Sequence, residues 1–106
     1  MMTVDAQIQL AERIAKRLPE VSRNDWMRWM QVASKYGLKR AVRLAERLSS
    51  DITMRPSIQR ANRLIAEAVT QHVDTLQRLN GQEREAVLGY VAWWLRIQTL
   101  RGSLRT

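Results

Sequence analysis

Cysteine is absent, and with it any disulfide framework or thiolate metal site. That absence fits a reducing compartment. With 2 prolines and 4 glycines the chain has too few turn formers for a sandwich or barrel of many short strands. Its single histidine, His72, has no second imidazole or thiol with which to complete a zinc site. There is no glycine-rich phosphate loop. The longest stretch free of charge, AVLGYVAWWL at 86–95, is about half the roughly 20 residues needed to span a bilayer. The opening MMTVDAQIQLAERIAKRL lacks the charged start, apolar block and small-residue cleavage site of a signal peptide. The sequence reads as a soluble, cytoplasmic protein.

What is present favours helix. Ala, Leu, Arg, Gln and Glu dominate, hydrophobic residues make up 45 % and charged residues 26 %, a globular balance. The 106 residues suffice for one domain, 1–106, with a modest core.

Five helices are expected. The first runs from about Asp5 to Leu18, with Val4, Ile8, Ala11, Ala15 and Leu18 on one stripe and Leu10 and Ile14 beside it. Pro19 stops it. The second follows an N-cap at Ser22 or Asn24, carries Trp26, Trp29, Met30 and Ala33 at helical spacing, and ends at Gly37 in a left-handed cap. The third, about Leu38 to Leu48, buries Leu38, Ala41, Val42, Ala45 and Leu48. After a loop at 49–56, the fourth and longest covers about 22 residues from Pro56 or Ser57. It carries Ile58, Ala61, Ile65, Ala68, His72, Leu76 and Leu79 on one stripe and ends at Asn80-Gly81. The fifth runs from about Gln82 to Arg101. No stretch alternates with period two, so the fold class is all-α: a compact bundle of about five helices, with short connections that favour antiparallel neighbours.

The fifth helix is apolar nearly all round. Ala86, Tyr90, Trp93, Ile97 and Leu100 form one stripe, and Val87, Val91, Trp94 and Leu95 a second. Such a helix must be buried nearly all round. It is either wrapped by the other four or covered by another chain, which makes Tyr90, Trp93, Trp94 and Ile97 candidate protein-interface residues. Gly89 reads as a close-packing position.

Charge is unevenly placed. Lys and Arg number 18 against 10 Asp and Glu, a net +8. Residues 1–27 balance, residues 28–63 carry +7, residues 64–95 carry −2 and the tail +3. In the basic middle, Lys39, Arg43 and Arg47 follow i, i+4, i+8 with Arg40 beside them, opposite Leu38, Val42 and Ala45. Arg28 and Lys35 lie on the side of the second helix away from the tryptophans, and Arg55, Arg60 and Arg63 flank the start of the fourth. Glu46 is the sole acid close by on the third helix. Like charges at these spacings cost a few tenths of a kcal/mol per pair. A sequence that accepts them so often reads as one that meets phosphates, and these nine cations are the candidate nucleic-acid-binding residues. A plain solvated surface, or arginine richness from a GC-rich genome, produces the same composition.

No catalytic set converges. His72 sits on an apolar stripe, where a core or boundary histidine with one hydrogen bond is expected. Glu83 and Glu85 point apart and suit the first turn of a helix. Ser22, Ser49, Ser50 and Ser57 occupy cap or turn positions. The expectation is a non-catalytic chain without cofactor, metal or small-molecule substrate, whose partners are RNA or single-stranded DNA and other protein subunits or copies of itself. VASKYGLKRAV invites a helix-turn-helix reading, but the second helix would have to bury Arg43 and Glu46. Backbone contact with counterion release is the simpler expectation. A DNA-binding regulator and a dimerising adaptor remain the alternatives. Membrane binding lacks aromatic and long aliphatic residues opposite the cations. Trp26 and Trp29 would stack on bases if exposed, but their spacing suits a core.

KYGLKRAVRLAERL at 35–48 and EREAVLGYVAWWLRIQTL at 83–100 resemble, respectively, the central segment and the closing helix of the small all-helical subunit of multi-subunit CRISPR effector complexes, the type III group and its relatives. In the closing helix the likeness ends on Trp94, Leu95 and Arg96. The chain departs from that family in having no Phe and in being shorter than typical members. The resemblance implies a non-catalytic antiviral-defence role. Copies would stack in a row within a ribonucleoprotein, with Lys39, Arg40, Arg43 and Arg47 along the nucleic-acid path and exposed apolar positions of the first and fifth helices between copies.

Overall fold

Trp26 and Trp29 set the architecture. A computed structural model describes residues 2–105, with side chains for residues 2–101. Its elements are α1 (Val4–Lys16), α2 (Arg23–Tyr36), α3 (Leu38–Ser49), α4 (Pro56–Gln71), α5 (Val73–Arg78) and α6 (Gly81–Arg105), an all-α bundle with no strand among the described residues. α1 pairs with α6 and α3 with α4, while α2 touches both α3 and α6. The result is a slab of 41 × 36 × 20 Å.

Local signals account for most boundaries. Thr3 and Ser22 cap α1 and α2, their hydroxyls accepting from Ala6 N–H at 3.1 Å and Asp25 N–H at 3.0 Å. Pro56 occupies the first turn of α4, where its missing N–H costs nothing. Asn80 and Glu83 close a reciprocal cap on α6: Glu83 N–H donates to Asn80 Oδ1 at 2.8 Å, and Asn80 N–H to Glu83 Oε1 at 3.2 Å. Met2 N–H donates to the other Glu83 oxygen at 2.8 Å. These two backbone donors hold the Glu83 carboxyl below its ordinary pKa.

The core is built on small residues. Alanines 11, 15, 33, 41, 45, 61, 66, 68 and 92 are buried alongside Ile14, Leu18, Ile65, Leu76, Val87, Val91 and Leu95. Small side chains at the contacts let helices approach closely. Both core tryptophans are buried, so neither is a base-stacking platform; each donates its indole N–H to a helix carbonyl.

Several expectations are corrected. α1 is turned slightly: Ala11, Ala15 and Leu18 of the expected stripe are buried together with Gln7, Leu10 and Ile14, whereas Val4, expected on that stripe, is 58 % exposed. α1 and α6, which no short connection joins, run parallel, since Met2 meets Glu83 and the Trp94 indole N–H reaches the Ile8 carbonyl at 3.3 Å. The expected 22-residue fourth helix breaks at His72, and the longest helix is α6 with 25 residues. At the break His72 takes φ −117°, ψ 11°, and its N–H bonds the carbonyl of Val69, three residues back. Its Nε2 is sealed from solvent with no hydrogen-bond partner, in place of the single bond expected. α6 is not buried all round: Trp93 and Leu100 lie more than half exposed. A Cβ added at Gly89 meets nothing within 4 Å, so that glycine serves no close packing inside this chain.

Gly37 ends α2 and starts α3 as a single linking residue. Its φ of 93° and ψ of 160° lie outside the left-handed helical well expected for a cap, in a region open essentially to glycine. Its N–H bonds Ala33 O at 2.9 Å and its carbonyl accepts from Ala41 N–H at 3.1 Å. Because an added Cβ finds open space, the penalty for Gly37→Ala is purely one of backbone conformation. We expect a loss of about 1–3 kcal/mol in urea unfolding followed by circular dichroism.

The His72 ring is pushed below its ordinary pKa, first by burial and then by the positive charges of Arg17 and Arg13. A histidine with a depressed folded pKa contributes stability above its unfolded value and loses it as pH falls. The unfolding midpoint should therefore drop as pH falls from about 7 toward 5, across the unfolded histidine pKa of about 6.5. His72→Gln should remove that part of the pH dependence.

Candidate nucleic-acid interface

α3 separates its two kinds of side chain cleanly. Leu38, Ala41 and Ala45 are buried against α2 and α4. At about 100° per residue, Lys39, Arg40, Arg43 and Arg47 occupy an arc of about 100° on the far side, and all four are exposed. Arg40, Arg43 and Arg47 line a shallow open depression with Leu44, Glu46 and Ser50. The ion pairs among the described residues are Lys16–Glu12 and Arg60–Glu20, each at 3.3 Å. Glu46 therefore lies beside the α3 cations without pairing with any of them.

A second depression lies at the N-terminal end of α3. Tyr36, Gly37, Leu38, Lys39 and Arg40 meet Gln77 and Arg84 there. Arg84 is held rigidly: its guanidinium donates to the carbonyls of Leu76 at 2.9 Å, Leu79 at 3.1 Å and Gln77 at 3.3 Å, satisfying the end of α5. Tyr36 is 52 % exposed, and the Lys35 ammonium sits 5.4 Å from its ring centroid. Arg40 lines both depressions, so the cationic surface is continuous from Arg84 to Arg47.

Of the other five expected cations, Lys35 adjoins this surface through Tyr36. Arg28 borders an apolar cleft between α2, α3 and α4, with Asp25, Trp29, Val32, Leu44 and Leu48. It thus shares a cleft with Trp29 instead of lying away from the tryptophans, and Leu44 connects that cleft to the α3 depression. Lys35 is exposed at the end of α2, beside Tyr36. Arg55 is exposed at the N-cap of α4 and Arg63 is exposed on α4; neither lines either of these two depressions. Arg60 is turned toward the α1–α2 loop and bonded to Glu20 at 3.3 Å, so it is neutralised. Three helices therefore do not pool all nine cations; α3 supplies the cluster, and Arg84, Lys35 and Tyr36 extend it.

Tyr36 and Arg84 were missed in the sequence. Arg84 belongs to a net-negative segment, and only the chain reversal at α5 brings it to α3. Tyr36 continues the Trp26–Trp29–Ala33 stripe, seven residues after Trp29, so spacing alone gives no signal of its exposure; it is the last residue of α2.

On the α6 side, Trp93 is exposed and Tyr90, Trp94 and Ile97 are partly buried. The Trp93 and Trp94 rings meet edge-on at 5.2 Å. Among the described residues no cluster of His, Asp or Glu could hold a metal ion, and no helix is long and apolar enough to cross a membrane. No protein-family model, curated protein or solved structure matches the chain.

Proposed function

We propose that this chain is a non-catalytic, cytoplasmic helical subunit that binds the backbone of RNA or single-stranded DNA within a larger ribonucleoprotein. The observation carrying this reading is the α3 face, where Lys39, Arg40, Arg43 and Arg47 lie exposed with no carboxylate within ion-pair distance. Arginine forks suit phosphate oxygens, and releasing counterions from a polyanion supplies the driving force. Arg84 adds a fixed positive charge at one end. Tyr36 offers a ring on which an unpaired base can stack. Nothing on this face has the layout of a base-edge code, so affinity should be nearly independent of sequence. The resemblance to the small subunits of CRISPR effector complexes supports the same reading, with this face set along the target strand or guide–target duplex.

A salt titration with single-stranded homopolymers tests the proposal. Four to five phosphate contacts give a slope of log K against log salt of about −3, since each contributes about −0.7 on single strands. Replacing Arg40, Arg43 and Arg47 together with Ala should flatten that slope by about 2 and weaken binding on every sequence. Tyr36→Leu should weaken single-strand binding by about fivefold, the low end of a stacking contribution, and leave duplex binding unchanged. Absence of binding at low salt, or binding indifferent to salt, refutes the reading. A footprint with strong sequence preference favours a DNA-binding regulator instead.

A further inference from the structure

α6 presents one wet face whose parts fit each other. At about 100° per residue, Glu85, Gly89, Trp93, Arg96 and Leu100 fall on the side opposite the buried Val87, Val91 and Leu95. Ile8 of α1 joins Ala86, Gly89, Tyr90 and Trp93 in lining an open, mostly apolar groove there. The groove floor is glycine. Gly89 lies inside a helix, without the positive φ that would require glycine, and a Cβ would meet nothing. Within one copy it brings no packing and weakens α6 by roughly 1 kcal/mol relative to alanine. One turn further on, Trp93 stands 54 % exposed.

We infer that this face is a self-association surface, on which a second copy of the chain packs its α6 antiparallel about a two-fold axis at the level of Val91. A hole at Gly89 and a knob at Trp93 lie equally far on either side of that level. The two-fold therefore seats each Trp93 over the partner's Gly89, the reciprocal contact an isologous dimer requires. The same operation brings Glu85 of one copy within about one residue, roughly 1.5 Å along the axis, of Arg96 of the other. Glu85 and Arg96 are both exposed and neither is ion-paired in the monomer. Apolar fit at the centre and opposite charges at the two ends are what self-complementarity demands, and an unrelated partner would not require them to be spaced symmetrically. Val4 and Leu100, 58 % and 55 % exposed, widen the apolar area on α1 and α6. The inference is independent of nucleic-acid binding by α3, and its test uses protein stripped of nucleic acid.

Sedimentation velocity over a concentration series decides it. The wild type should pass from the 12.4 kDa monomer to a discrete dimer as concentration rises. Gly89→Leu, which fills the hole, should abolish the dimer while circular dichroism shows an intact helical fold. Arg96→Glu should weaken the dimer by about tenfold, because symmetry places the like-charge contact twice. Glu85→Arg combined with Arg96→Glu should restore it. A chain that stays monomeric at every concentration overturns the inference. So does an open series of larger species, or a dimer indifferent to Gly89→Leu and to the charge exchange.

Discussion

Two indole hydrogen bonds hold the two halves of this slab together. Trp26 and Trp29 lie one turn apart on α2 with ring centroids 4.9 Å apart, both buried. A buried indole must place its N–H, and these point in different directions. Trp26 donates to Leu88 O on α6 and Trp29 to Ala41 O on α3, each at 2.9 Å. α2 is thereby fixed to one helix of each pair. The acceptors are helix carbonyls, and the buried alanines around them leave room for a large ring to approach. The two helices so anchored are the ones that carry the distinctive outer faces, cations on α3 and the Gly89–Trp93 groove on α6. The relative placement of those faces therefore depends on α2, which carries no part of the α6 groove and reaches the cationic surface only at its last turn.

Features determined by neighbours in sequence were legible. The α2 stripe, the inner residues of α3, the Ser22 cap and the stop before Pro19 all follow from spacing and local chemistry. Features determined by tertiary competition were not. α1 has apolar residues on two adjoining stripes, Val4 and Ile8 on one side and Leu10 and Ile14 on the other. Periodicity cannot fix the centre of the buried face; packing against α6 takes Ala11, Ala15 and Leu18 of the first stripe together with Leu10 and Ile14, and leaves Val4 outside. The break at His72 has no proline or glycine to announce it, and the apolar spacing of Ile65, Ala68, His72 and Leu76 runs through it undisturbed.

The same division runs through the candidate site. Lys39, Arg40, Arg43 and Arg47 could be grouped from sequence because they lie opposite the core positions of their own helix. Arg55, Arg60 and Arg63 could not, because their distance from α3 depends on which side of α4 packs inward. Ala61, Ile65, Ala66, Ala68 and Val69 take the inner side, and Arg60 is left facing Glu20. Arg84 reaches α3 only through the turn after α5, a contact between positions more than forty residues apart in the chain.

α3 is a helix whose charges work against its own ends and spacing. Its first turn holds Lys39 and Arg40 and no acid, which opposes the positive end of the helix dipole. Gly37 supplies no side-chain cap. Lys39, Arg43 and Arg47 then repel one another along one row. Each of these is unfavourable by a few tenths of a kcal/mol to about 1 kcal/mol in an isolated helix. Burial of Leu38, Ala41 and Ala45 against α2 and α4 offsets them. An anion lying along Arg40, Arg43 and Arg47 relieves the mutual repulsion, and one near Lys39 also satisfies the dipole. The physical gain on meeting a polyanion thus includes electrostatic strain already present in the free helix, a contribution that a cation row paired with glutamates would not supply.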